Sequence, residues 1–315
     1  MSSKVTPNAK TKVATTFRER WNIKWSPAYL FLLPWIFGIL VFRLYPFINA
    51  FRISMLSQRI GMPDAFVGFA NFNEILFGTT MHGNLFRQSL GITFRYVAMT
   101  VPLVLVVALF VAFILNFKVR GIGFFRTAFY IPSILGGSVS VALLWRAVFG
   151  NQGLINSFIG VFGIAPVGWM VQGSTALIVM SLLRAWQFGS VMLIFLSALQ
   201  NVPASLYEAA SIDGARKFRQ FLTVTIPIIT PTILFNIINL LVASFQEFNA
   251  PFLVPAQPGG PVNATLLLNL FIYDRAFVMN NFGIAGAASW IMFVIIMAFT
   301  GLLIRFSDRW VFYND

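Results

Sequence analysis

Six stretches of this chain run for about 20 residues or more, the length that crosses the hydrocarbon core of a bilayer. They are Ala28–Ile48, Leu90–Phe117, Ala128–Phe149, Thr175–Leu199, Ile226–Phe252 and Ile284–Ile304, and none holds more than one charged side chain. A helix that is apolar on every side has no stable place at a water-facing surface. The expected fold class is therefore all-α integral membrane, with six transmembrane helices. Composition agrees: 58% of residues are hydrophobic and 10% charged, whereas soluble domains carry about 25% charge.

The formal charge of +13 admits two readings, nucleic-acid binding or the Lys/Arg excess of cytoplasmic membrane loops. Distribution favours the second, so no nucleic-acid partner is expected. Lys4, Lys10, Lys12, Arg18, Arg20 and Lys24 precede the first span, Lys118, Arg120 and Arg126 follow the second, Arg216, Lys217 and Arg219 follow the fourth, and Arg305 and Arg309 close the chain. The opposite side holds Arg52, Arg59, Arg87 and Arg275, and the stretch 150–174 carries no charge. The positive-inside rule then puts both termini in the cytoplasm. The first span is too long for a signal-peptide apolar region and no small-x-small site follows it, so it is read as a retained helix. Residues 1–27 form a basic arm in which Val13 to Trp25, with Phe17, Trp21 and Trp25, is expected to lie on the inner leaflet. Residues 28–315 form the transmembrane domain, and 201–225 is its largest cytoplasmic loop. The chain has no cysteine, which excludes disulfides, thiolate metal sites and a Cys nucleophile.

Within that loop, Pro203 suits the first turn of a helix and Gly214 the position just past its end. Leu206, Ala209, Ala210 and Asp213 then share one face of about three turns. An acid near a helix C-terminus opposes the macrodipole, so Asp213 is expected to cap the next helix or pair with Arg216 or Lys217. Gly214 would let the chain turn between two short helices, making a compact knob.

The spacing Glu208-Ala209-Ala210, three residues, Gly214, nine residues, Val224-x-Ile226-Pro227 resembles the "EAA" loop of the membrane subunits of bacterial ABC importers. Pro27 to Pro34, Val41 to Pro46, Phe66 to Phe72, Trp145, Gly153-Leu154-Ile155-Asn156 and Ala198 to Pro203 are similar, in that order, to landmarks of the carbohydrate-uptake branch, specifically maltose-type or glycerol-phosphate-type first permeases. The resemblance implies a type I ABC importer transmembrane domain in a bacterial-type cytoplasmic membrane. It implies a second homologous permease, ATPase subunits, an extracytoplasmic solute-binding protein and a sugar substrate as partners. Glu208 would pair with a basic residue of the ATPase, Ala209 and Ala210 would give close contact, and Gly214 the bend. ATP and Mg would sit on the ATPase with no cofactor in this chain, which has no G-x-x-x-x-G-K-[ST] loop and is expected to be a transport subunit, not an enzyme. The alternatives are a permease for a non-sugar solute such as glycerol phosphate, or an ion-coupled secondary transporter. The latter calls for repeat symmetry and midplane acids, which the chain does not show.

Arg43, Arg95, Arg146, Arg184 and Glu247 are the charges inside the predicted spans, each a functional candidate by default. Arg43, Arg95 and Arg146 fall toward outer ends and read as snorkelling to the interface. Arg184 and Glu247 occupy the outer halves of consecutive antiparallel spans. Either they pair, holding two helices together, or each faces water in a translocation cavity. On the fifth span Asn236, Asn239, Gln246 and Glu247 share an arc of about 100°. That stripe either glues the bundle through interhelical hydrogen bonds or, in its outer part with Asn249, lines a sugar site. In maltose-type permeases this helix and the one before it line the pocket, which adds Trp186, Gln187 and Ser190. His82 is expected to be solvated in an external loop. Gly286 with Ala287, Ala288 and Ser289 offers a small-residue face for a second permease. No metal-ligand cluster or catalytic constellation is present.

Overall fold

The computed structural model describes residues 27–58, 63–117 and 119–312; the basic arm and its expected interfacial helix lie outside them. The chain divides into two compact units, Met1–Ala50 and Phe51–Asp315. The first contributes α1 (Pro27–Ile39), a π-helical turn at Leu40–Leu44 and the start of α2 (Tyr45–Ser54). Phe31, Trp35, Phe37 and Phe42 are exposed along it, as lipid-facing side chains are. The π turn has a local cause. Pro46 has no N–H for the carbonyl four residues back and its ring crowds that carbonyl; the chain widens by one residue just before it, with the Tyr45 amide donating to Leu40 O, five residues back.

The second unit begins with a short antiparallel ladder, β1 (Leu56–Ser57) against β2 (Ala65–Phe66), a departure from the purely helical expectation. Then come α3 (Ala70–Phe77) and α4 (Met81–Leu115). At 35 residues, α4 is about 50 Å long and starts well before the expected Leu90. Its buried stripe Val97, Val101, Val104, Ala108, Ala112 and Leu115 recurs at helical spacing and packs on Met192, Phe195 and Leu199 and on Leu240, Leu241 and Phe245. The early start removes His82 from any loop. His82 lies in the first turn of α4, and its Nδ1 accepts from Arg275 Nη1 at 2.9 Å, so the solvated reading is corrected. Arg275 is only 2% exposed and pairs with Asp274 at 2.7 Å.

The third and fourth expected spans are not single rods. α5 (Ile122–Leu135) gives way to α6 (Val139–Phe149) and α7 (Leu154–Gly160) with a bend of 101° between the segments Ile122–Leu135 and Val139–Gly160. Pro132 and the Gly136-Gly137 pair, Gly137 at φ +80, sit at that break. α8 (Gly173–Trp186) and α9 (Gly189–Gln200) meet at 48°. Among the described residues, four helices are long and apolar enough to cross a membrane alone, and up to six segments are if each bent pair counts as one. After α10 (Ala204–Ile212) and α11 (Lys217–Gln220), a second π turn at Phe221–Thr225 precedes Pro227, with the Ile226 amide on Phe221 O, repeating the arrangement at Pro46. α12 (Ile226–Ile228), α13 (Thr230–Phe245), α14 (Asn249–Leu253), α15 (Leu268–Tyr273), a third π turn (Asp274–Val278) and α16 (Phe282–Ser307) complete the unit.

Two further expectations change. Arg146 does not reach for an interface: its Nε donates to Val254 O at 2.9 Å and its Nη2 to Pro255 O at 2.5 Å, tying α6 to the segment after α14. The small residues of α16 are used inside the chain. Ala287 and Ala288 are fully buried against Ile75, Phe86 and Leu268, and the Gly283 Cα lies against the Leu56 carbonyl and Asn71. Arg95 is exposed about 30 Å of helix from Leu115, a full hydrocarbon thickness.

Candidate functional site

The first candidate is the loop between α9 and α13. Pro203 is the N-cap of α10, one residue earlier than expected, and Asp213 is its C-cap. The Gly214 amide donates to Ser211 O at 3.1 Å and the Ala215 amide to Ala210 O at 2.9 Å, with Gly214 at φ +75. That pair of bonds is a Schellman close, which consumes two of the orphan carbonyls at the helix end. Two contacts that periodicity could not reveal stiffen the loop. Tyr207 Oη and Thr225 Oγ1 lie 2.8 Å apart, and buried Gln220 donates its Nε2 to Ser211 Oγ and Ala215 O at 2.8 and 2.9 Å. Asp213 departs from expectation: it neither caps α11, whose N-cap is Arg216 with no side-chain bond, nor pairs with Arg216 or Lys217 among the described residues.

With Tyr207 and Ser211 facing the chain, α10 presents the opposite side outward. Glu208, Ala209 and Asp213 are exposed and Ala210 is half-buried; Ile212 is 87% exposed and Leu206 42%. A carboxylate without a partner beside an exposed isoleucine and two alanines is a surface suited to a basic, close-fitting contact.

The second candidate is a cavity of about 200 Å³ where the breaks of two bent segments meet the end of α13. Arg184, Gln187, Glu247 and Asn249 line it together with Tyr96, Ser133 and Gly136 to Ser138. The two intramembrane charges share the cavity without a direct ion pair: Arg184 Nη1 donates to Gln187 Oε1 at 3.2 Å, and Glu247 Oε1 accepts from the Ala250 amide at 3.0 Å. The Tyr96 hydroxyl is buried in the wall beside Thr100. Gly136 lies against the end of the Gln187 side chain, which a Cβ there would meet at 2.9 Å and push aside. Ser133 bridges the α8–α9 break, its Oγ donating to Gln187 O at 3.0 Å and accepting from the Ser190 amide at 3.2 Å.

Three expected pathway residues lie elsewhere. Ser190 serves through its backbone. Trp186 packs on Trp145 with ring centroids 5.5 Å apart. Gln246 is exposed and accepts from Asn269 Nδ2 through its carbonyl at 2.8 Å. The polar stripe of α13 is not interhelical glue at its inner end: Asn236 and Asn239 donate to carbonyls of their own helix, Thr232 O at 3.1 Å and Phe235 O at 2.7 Å. Tyr96, Ser133 and the glycine pair were not singled out from the sequence, although Pro132 followed by Gly-Gly inside an apolar run is a break signal.

Residues 74–313 match the family described as the binding-protein-dependent transport system inner membrane component. A probable ABC transporter permease protein of Bacillus subtilis (strain 168), YesP, is 41% identical over 91% of this chain and 92% of its own length. The lactose transport system permease protein LacF of Rhizobium radiobacter is 32% identical over 89% and 93%. A solved bacterial ABC transporter involved in the import of the acidic polysaccharide alginate shares the fold, with a TM-score of 0.77 at 21% identity, covering 90% of this chain and 95% of that one.

Proposed function

The chain belongs to the family of binding-protein-dependent transport system inner membrane components, and from that premise we propose that it is the permease subunit of an ATP-driven ABC importer for a carbohydrate. It works without chemistry of its own. Six spans with both termini cytoplasmic would place the α9–α13 loop on the inner side, where the Lys/Arg excess lies. There the outward face of α10 would meet the ATPase, with Glu208 to a basic residue, Ala209 and Ala210 in close contact and Gly214 at the bend. ATP and Mg would be held by that separate ATPase; its closure would draw the coupling loops of this chain and of a second permease together and rock the spans between inward and outward access.

The observation that carries the carbohydrate reading is the cavity. It joins a guanidinium, a carboxylate and two amides, donors and acceptors in the mixture that sugar hydroxyls need. At about 200 Å³ it is below the usual range for a whole ligand site, as one wall of a path shared with a second permease would be. The relative named for lactose transport supports the same substrate class. The test is ATP-dependent uptake into proteoliposomes holding this chain with its permease, ATPase and binding-protein partners, preceded by a thermal-shift screen of sugars on the binding protein. Uptake of amino acids or metal ions and of no sugar would overturn the substrate class and leave the importer standing.

A further inference from the structure

We propose that a recess at the basic end of the bundle, between the C-terminal ends of α4 and α9 and the N-terminal end of α5, holds the phosphate of an anionic phospholipid. The recess, of about 600 Å³, is lined by Asn116, Phe117, Arg120, Ile122, Arg126 and Gln200. Arg126 donates its Nη2 to Leu115 O at 3.0 Å, which fixes the guanidinium at the end of α4, while its buried Nε has no partner. Arg120 is exposed. No carboxylate pairs with either arginine among the described residues. Two guanidiniums in one recess without a counter-ion repel each other and favour an anion placed between them.

The backbone adds to that field. α5 is 14 residues long and begins at Ile122 behind Gly121, with no side chain capping its first turn, so the positive end of its dipole lies at the same end. Asn116 and Gln200 bring amide donors. The choice of a lipid over a soluble anion comes from the apolar surroundings: Phe117 in the lining is 54% exposed, and Phe124 and Phe125 in the first turn of α5 are 75% and 52% exposed, aromatic surface of the kind that sits at the headgroup level. A headgroup in the recess would thus leave its acyl chains against aromatic side chains. Assignment to the inner leaflet, whose anionic lipids attract basic segments, rests on the orientation given under the proposed function; the binding itself does not.

Gln200 is the last residue of α9, three residues before the N-cap of α10. A bound phosphate would therefore tie three helix ends at the root of the loop that carries Glu208, making transport sensitive to anionic lipid.

The measurement is native mass spectrometry of the purified full chain with dioleoylphosphatidylglycerol, with dioleoylphosphatidylcholine, and with inorganic phosphate in the presence of the latter lipid. One phosphatidylglycerol is expected to survive activation that strips phosphatidylcholine. Arg120→Gln, which breaks no contact within the protein, should lower that occupancy about tenfold, the scale of one charge-assisted bond. Arg126→Gln added to it should bring phosphatidylglycerol to the level of phosphatidylcholine, and Arg126→Lys should retain most of it. Equal retention of the two lipids, or unchanged retention in Arg120→Gln, overturns the site. Stoichiometric binding of inorganic phosphate that displaces phosphatidylglycerol overturns the lipid as its occupant. Uptake plays no part in this readout, so failure here leaves the importer reading intact and the reverse also holds.

Discussion

Asn156 organises the uncharged stretch after α6 with one side chain. Its Nδ2 reaches Gly150 O, Asn151 O and Val167 O at 3.1, 3.1 and 2.9 Å, and its Oδ1 accepts from the Val167 amide and Trp169 Nε1 at 3.0 and 2.9 Å. Asn156→Asp keeps the acceptor but sets a carboxylate against three carbonyls, and should cost about 3 kcal/mol, read as a lower Tm in detergent and faster proteolysis between 150 and 172. Gly214 is a different case. Nothing lies within 4 Å of a Cβ built there, yet its φ is +75, so Gly214→Ala should cost only the left-handed backbone penalty of about 1 kcal/mol. Hydrogen exchange should rise at 211–216 with the spans unchanged; equal exchange in the two proteins would remove the Schellman close as the source of the loop's rigidity. This turn was legible in the sequence because a glycine past a capped helix has few other uses. The Asn156 network was not, because Val167 and Trp169 lie eleven and thirteen residues away with no period connecting them.

Among the elements, apolar run length located the long helical segments but not their bends, and it passed over α3, α7 and α15, which lie outside the six runs. Hydropathy reports whether a residue tolerates lipid and does not report a bend, so Ala128–Phe149 reads as one rod although Gly136-Gly137 turns it by 101°. Proline was more informative than its use in the reading: each of Pro46 and Pro227 follows a π turn that ends two residues before it. The packing of α9 on α5 depends on Gly189, where a Cβ would stand 2.7 to 2.8 Å from Ser133 Oγ, Phe129 O and Tyr130 Cα. Two of those atoms are backbone and cannot rotate away. Gly189→Ala should therefore destabilise by about 1–3 kcal/mol, whereas Gly301→Ala on α16, with nothing within 4 Å, should leave Tm unchanged or slightly raised. Equal Tm values for the two variants would mean that α5 and α9 are not held in contact at Gly189.

On the scale of the molecule, the two candidate sites are joined by rigid helix. α9, with 12 residues, spans about 18 Å from the Gln187 break to the root of the loop, and α13, with 16 residues, about 24 Å from the loop side to Glu247. With the loop at one surface of a hydrocarbon core about 30 Å thick, as the proposed function has it, the cavity would lie past the middle of that core, where a solute path would narrow. Both helices also pack on α4 through one core, so displacement of α10 has a direct mechanical route to the walls of the cavity. The two sites should consequently fail in different ways. Asn249→Ala or Gln187→Ala, each removing an amide from the cavity, should raise the KM for sugar by about tenfold, the worth of a lost hydrogen bond to a bound ligand, with ATP hydrolysis still stimulated by the loaded binding protein. Glu208→Lys should abolish uptake at every sugar concentration and remove that stimulation, while the variant inserts and purifies like the parent. Proteoliposome assays that follow uptake and ATP hydrolysis together separate the two patterns; a Glu208→Lys variant with only an altered KM would place the solute, and not the ATPase, at α10.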